Sequence, residues 1–274
     1  MIDKNFEAWS LKNTVNFYQN ERTRAADLYR SESAMLLPVV PRVKSVLDVG
    51  CAVGNFYSVF RELNPAISYV GIDTSQGMID EARRRYPGIR FDLSKGHGLP
   101  YASDSFDLVL CTGVLNHNPD YLDMISEILR VTRRFAVVDL PRLVTWPYTF
   151  DLKHSYMQLK DRFPEKTEEI SEEATRVPYV LASVSEAFNG ILNRLSKGIM
   201  GVACCGYYGT PHKSVTIPYE KVIFTVILLI KGHGQLRYHL RLPDDAMDLA
   251  ESAFLSAQGI KAESVESVFS AGRT

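Results

Sequence analysis

The sequence predicts an α/β fold with a mostly parallel sheet flanked by helices, and three observations predict it. The stretch Ser45-Val46-Leu47-Asp48-Val49-Gly50-Cys51-Ala52-Val53-Gly54-Asn55-Phe56 starts as a short apolar run, turns through small residues and continues with helical spacing. Apolar positions around a single acid suit a strand buried on both faces, as in a parallel sheet. A second strand, Ser68-Tyr69-Val70-Gly71-Ile72-Asp73, follows and ends in a carboxylate. Helical stripes then alternate with β runs: Phe56, Val59, Phe60 and Leu63; Met78, Ile79, Ala82 and Tyr86; Leu122, Ile125, Ile128 and Leu129.

Residues 1–37 read as polar and helical, with aromatics at Phe6, Trp9, Phe17, Tyr18 and Tyr29, and Pro38 and Pro41 break the chain before the first strand. Ser75 is placed to cap the helix carrying Met78, and Pro87-Gly88 ends it before a third strand at 89–93. A fourth strand is expected at 106–111, followed by a helix capped by Asp120. The fifth, at 134–140, delivers Asp139-Leu140-Pro141-Arg142 to the sheet edge where open α/β sheets place ligands. Residues 144–213 then interrupt the sheet. Trp146, Tyr148, Phe150, His154 and Tyr156 crowd the start of this insertion, and the acidic run 165–173 reads as a solvated helix face. Pro178 is expected to start a helix with Leu181, Val184, Phe188, Ile191, Leu192 and Leu195 inward. Residues 202–208 and 221–229 read as strands, and the tail after 235 holds one helical stretch at 244–256.

Composition narrows the function. The 274 residues suffice for a full core, and a net charge of −1 leaves no electrostatic footprint for nucleic acid. The four cysteines, Cys51, Cys111, Cys204 and Cys205, lack metal-ligand spacing. The adjacent pair makes a poor disulfide, which points to reduced thiols and a cytoplasmic setting. Met1-Ile2-Asp3-Lys4 lacks an apolar signal core, and the most apolar run, 222–230, is about half the length of a bilayer span. No membrane partner is expected.

The chemistry begins at the small-residue loop. Gly50-Cys51-Ala52-Val53-Gly54 lacks the Gly-x-Gly-x-x-Gly spacing that fits a pyrophosphate, and Asp48 stands immediately before it. A carboxylate there suits a cationic ligand and argues against a nicotinamide oxidoreductase. In chain order Val46 to Gly54, Asp73, Leu99-Pro100-Tyr101, Ser105-Phe106-Asp107 and Leu115-Asn116-His117-Asn118-Pro119-Asp120 resemble the motifs of class I S-adenosylmethionine-dependent methyltransferases. The resemblance covers residues 45–140.

The resemblance implies a Rossmann-like, seven-stranded, mostly parallel sheet whose last strands form a partly antiparallel pair. It implies an N-terminal helical lid (1–40), a methyltransferase domain (41–234) with a substrate-covering insertion after strand five (about 144–213), and a C-terminal extension (235–274) without an assigned role. The cofactor it implies is S-adenosylmethionine, with S-adenosylhomocysteine as product. Asp48 and the backbone of Gly50, Cys51, Ala52 and Gly54 would hold the methionine portion, and Asp73, beside Thr74, the ribose diol. Met78 would touch the adenine, Cys111 and Thr112 would border the methyl group, and Tyr18 and Arg30 would close on the methionine end. Two departures stand out. Ala52 replaces the usual glycine, a single methyl expected to be tolerated. Lys95 occupies the place of an acid that accepts from the adenine amino group, and an ammonium cannot accept. Asp92, Ser94 or the backbone near Gly96 then takes that role.

The expected reaction is methyl transfer to a hydroxyl or amine of a small molecule: a sugar, a lipid or a natural-product-like acceptor. Candidate bases, in order, are His117, Asp139 and His154. His117 reads equally as a loop-shaping residue. Asp139 and Arg142 read either as base and anion holder or as a structural pair. The other reading is a protein that binds S-adenosylmethionine without methyl transfer. A monomer or homodimer is expected.

Overall fold

A computed structural model describes residues 7–94, 98–162, 175–195, 198–256 and 261–271. Lys95, Gly96 and the acidic run 165–173 lie outside the described residues. Two short helices, α1 (Lys12–Tyr18) and α2 (Arg30–Leu36), precede the sheet. Then β1 (Ser45–Val49), α3 (Asn55–Leu63), β2 (Ser68–Asp73), α4 (Gln76–Arg85) and β3 (Arg90–Leu93) alternate as the hydrophobic pattern predicts. β4 (Phe106–Cys111), α5 (Tyr121–Val131) and β5 (Thr132–Asp139) follow.

The insertion contains β6 (Arg142–Val144), β7 (Tyr156–Gln158), α6 (Leu159–Arg162), β8 (Arg176–Pro178), β9 (Leu181–Ser183) and α7 (Val184–Leu195). The chain then continues through β10 (Ile199–Gly209), β11 (Val215–Thr216), β12 (Val222–Lys231), β13 (Arg237–Arg241), α8 (Asp244–Ser256), β14 (Lys261–Ala262) and α9 (Val265–Ala271).

The main path of the large sheet runs β14-β13-β10-β12-β5-β4-β1-β2-β3. β12 runs antiparallel to both of its neighbours, β5 and β10, and the other pairs on this path are parallel. Strands β3 to β10 of this path make the expected seven-stranded order. The tail extends it, because Tyr238 and Leu240 bury against the sheet while Arg237 and His239 stay half-exposed, a period-2 pattern. β6 and β9 attach at β12, and β11-β7-β8 form a small separate sheet. One core lies on each face of the large sheet, and a third apolar cluster joins Trp9, Phe17 and Tyr18 to the insertion.

Two local expectations are corrected. Pro178 does not start a helix: it ends β8, paired to Tyr156, and α7 begins at Val184. The real start signal is Ser183-Val184-Ser185-Glu186, where the Glu186 N–H donates to Ser183 Oγ at 3.2 Å and the Ser183 hydroxyl donates to Glu186 at 2.9 Å. Asp120 makes no side-chain cap; Asn118 Oδ1 accepts from its N–H instead, at 3.0 Å. Ser75 caps α4 as expected, accepting from Met78 N at 3.2 Å. No helix among the described residues is long and apolar enough to cross a membrane.

Candidate functional site

β1 ends at Val49, and the chain turns back beside the end of β2: the N–H groups of Gly50 and Cys51 both donate to Ile72 O, at 2.8 and 3.1 Å. Gly50 (φ +75°), Ala52 (φ +45°) and Gly54 (φ +82°) are left-handed. A Cβ on Gly50 would meet Val114 Cγ2 at 2.1 Å, so this position excludes side chains by both backbone and space. The Ala52 methyl is therefore not free of cost: left-handed backbone strains an L-residue by about 1–2 kcal/mol relative to right-handed backbone.

Asp73 closes the loop. Its Oδ2 accepts from Ala52 N and its Oδ1 from Ser75 N, both at 2.9 Å. A carboxylate has about four acceptor sites, so capacity remains for a ligand. Asp48 is 2% exposed and accepts from the Tyr69 hydroxyl at 2.6 Å. Burial pushes its carboxyl up to about 7 against the pull of Tyr69 and Arg22, and the Asp73 charge adds to the rise.

The N-terminal segment is tied to this loop. Asn55 Nδ2 donates to the carbonyls of Tyr18 and Glu21, at 2.5 and 2.6 Å, and Arg85 bridges Asn55 Oδ1 and Gln19 O. Ser10 and Ser75 hydroxyls meet at 2.8 Å. Burial pushes the Tyr18 hydroxyl up to about 12, and the charges of Arg22 and Asp73 both reach it.

The cation facing the site is Arg22, not the expected Arg30. Arg22 donates to Glu32, sits 5.2 Å from both the Tyr29 and Phe56 ring centroids, and its charge is felt at Asp48 and Asp139. Arg30 is exposed at the start of α2, and its charge reaches Cys205 in β10. Sequence spacing could not separate the two arginines; the left-handed turn at Arg22 (φ +51°) and the cap geometry of α2 decide it.

Other expected cofactor contacts sort by burial. Cys51, Met78 and Cys111 are at most 5% exposed and pack in the core, where burial holds both thiols protonated. Thr112 is buried at the end of β4, and Thr74 and Ser94 are half-buried, with Ser94 N donating to Asp73 O at 2.7 Å.

On the β4–β5 side, the three candidate bases separate. His117 Nδ1 donates to Pro178 O at 2.6 Å, so Nε2 is the acceptor, and it takes the Asn116 amide at 2.8 Å. Its ring meets Trp9 edge-on at 5.0 Å. Burial, with the Arg142 charge adding, pushes the imidazole down to about 4. Both nitrogens are thus engaged, and His117 joins the loop after β4 to the insertion and the N-terminal segment rather than offering a free base. His154 is a surface group: its side chain is 75% exposed and pairs with Asp151 at 2.8 Å within one turn. Asp139 remains. Its Oδ2 accepts from Gly113 N at 3.0 Å and lies 3.6 Å from Arg142 Nη1, while its buried Oδ1 has no partner among the described residues. Burial pushes this carboxyl up to about 6, against the pull of Arg142.

Residues 46–135 match a family described as "Methyltransferase domain". The Trans-aconitate 2-methyltransferase of Variovorax paradoxus is 32% identical over 111 residues, covering 40% of this chain and 41% of that protein. An uncharacterized 37.1 kDa protein in transposon TN4556 of Streptomyces fradiae is 34% identical over 115 residues, covering 40% of this chain and 33% of its own. The chain thus spans about two fifths or less of these relatives. Among solved structures, a chain from the complex of the Haloferax volcanii Trm112 methyltransferase activator with a methyltransferase covers 85% of this chain and 99% of its own. That match has a TM-score of 0.51 and 16% identity, and shows the shared fold.

Proposed function

We propose, from the premise that residues 46–135 form a domain of the methyltransferase family on a class I fold, that this chain transfers a methyl group from S-adenosylmethionine to a hydroxyl or amine of a small-molecule acceptor. One observation carries the reading. Asp73 is held by the backbone N–H groups of Ala52, Thr74 and Ser75 beside a left-handed loop and keeps acceptor capacity at the end of β2. That arrangement fits a ribose diol, and the buried Asp48 behind it fits a cationic neighbour.

When bound, S-adenosylmethionine supplies a methyl carbon activated by its sulfonium charge. The chain's own residues do the rest. The loop backbone and Asp48 would hold the methionine portion, and Arg22, itself paired with Glu32, would lend its charge to the carboxylate end. An acceptor heteroatom held beside the methyl group would take it, the carbon–sulfur electron pair staying on sulfur. For a hydroxyl acceptor, Asp139 would take the proton once its side chain turns the buried Oδ1 toward the acceptor. His117 keeps the loop after β4 in place, and the N-terminal segment with the insertion excludes water.

Calorimetric titration with S-adenosylmethionine and S-adenosylhomocysteine tests this on wild type and Asp73→Asn. Micromolar binding is expected, weakened about ten- to a hundredfold in the variant, or ~1.5–3 kcal/mol for a charged hydrogen-bond acceptor. Failure of the folded wild type to bind either compound would overturn the proposal.

A further inference from the structure

The insertion's first strand brings a cation to the acceptor side that the methyl-transfer chemistry does not use. Arg142 opens β6, and its side chain is only 12% exposed. The guanidinium lies 4.4 Å from the Phe224 ring centroid and 5.9 Å from that of Tyr179, and Tyr207 stacks on Phe224. Flat aromatic neighbours fix the plane of a guanidinium and leave its N–H edges to bind.

Those edges are poorly used. Nε reaches the Tyr179 hydroxyl at a long 3.3 Å, and Nη1 lies 3.6 Å from Asp139 Oδ2, beyond the 2.7–2.9 Å typical of a charge-assisted bond. Nη2 has no hydrogen bond among the described residues, yet it is not among the sealed unpartnered atoms. The cation also sits close to where reaction is proposed, since its charge reaches both His117 and Asp139.

We propose that Arg142 is a specificity-determining residue that grips a carboxylate of the acceptor, so that the substrates of this chain are small carboxylic acids. This rests on the reading of the chain as a methyltransferase. A planar monoanion matches the guanidinium fork in shape and in charge. A phosphate dianion matches less well, because the Asp139 carboxylate stands beside the fork and Arg22 is engaged with Glu32.

The test uses a panel of aliphatic and aromatic carboxylic acids that carry a hydroxyl or amine as methyl acceptor, each beside its neutral primary amide, plus phosphate monoesters. The readouts are S-adenosylhomocysteine release and thermal shift in the presence of S-adenosylmethionine. Acids in the panel are expected to shift the melting temperature and to release product, with their amides at least tenfold weaker. Arg142→Lys and Arg142→Gln are expected to raise KM for the active acid tenfold or more while leaving S-adenosylmethionine affinity within twofold. Normal cofactor binding without response to any acid overturns the inference and leaves the methyltransferase reading standing. So does preference for amides or phosphate monoesters, or unchanged KM in both folded variants. Because the panel is run first on wild type, the inference can fail even if both variants misfold. Absence of cofactor binding by wild type overturns the methyltransferase reading itself.

Discussion

Asp48→Asn turns the burial of one carboxyl into a measurable dependence of stability on pH. In the unfolded chain this group loses its proton near 3.8, and in the fold it holds it to about 7. Over that window the unfolded state binds fewer protons, so stability falls as pH rises. The contribution is fully present below the unfolded value and is lost as pH climbs through the folded one. At about 1.36 kcal/mol per unit, roughly three units amount to ~4 kcal/mol in the alkaline limit, of which ~2–3 kcal/mol falls between about pH 5 and pH 8.

Asparagine keeps an oxygen for the Tyr69 hydroxyl and never ionises, so the variant lacks this slope. Other groups titrate in the same range. His117, pushed down to about 4, loses stability as pH falls, and Asp139, raised to about 6, loses it as pH rises. Both are shared by the two proteins and cancel in the difference. Urea unfolding of ligand-free wild type and Asp48→Asn at about pH 5 and pH 8 reads that difference directly. The variant should gain ~2–3 kcal/mol on wild type across the interval. A gap that stays constant with pH would show that Asp48 ionises in the fold as it does in water, and would refute the reasoning.

Two further substitutions test the site's construction. Gly50→Ala should destabilise by ~2–4 kcal/mol, combining left-handed strain with a clash at Val114, and adding Val114→Ala should recover the clash part in thermal denaturation. Absence of any recovery would place the cost elsewhere. Arg22→Met should cost ~3–5 kcal/mol without cofactor by leaving Glu32 buried and uncompensated, and Arg22→Met with Glu32→Met should restore most of it; equal loss in the double variant would contradict the pairing.

Local physics carried the sheet. A buried strand, a small-residue loop and a helix stripe depend on nearest neighbours and on period, so β1 to β5 and the Ser75 cap are written in the residues themselves, while the reversed direction of β12 came only with the family resemblance. The same holds for Asp48 and Asp73, which stand at fixed offsets from the loop. The capping box at Ser183 and the alternation at 237–241 are equally local signals, and their absence from the sequence reading reflects competition from Pro178 and from the longer helical stretch after them.

What no spacing encodes is which distant groups meet. Arg22 and Arg30 are alike as residues, yet in the fold Arg22 lies against Phe56 at the start of α3 while Arg30 is exposed. His117, Asp139 and His154 are alike as potential bases. A long-range contact to Pro178 and the neighbouring Asn116 engage the two nitrogens of the first, one oxygen of the second has no partner among the described residues, and the third lies on the surface. Sequence determined the scaffold and the acids beside the small-residue loop because those rest on short-range geometry. Only the tertiary structure decided the charges and protons around them, because burial and partner choice belong to the assembled chain.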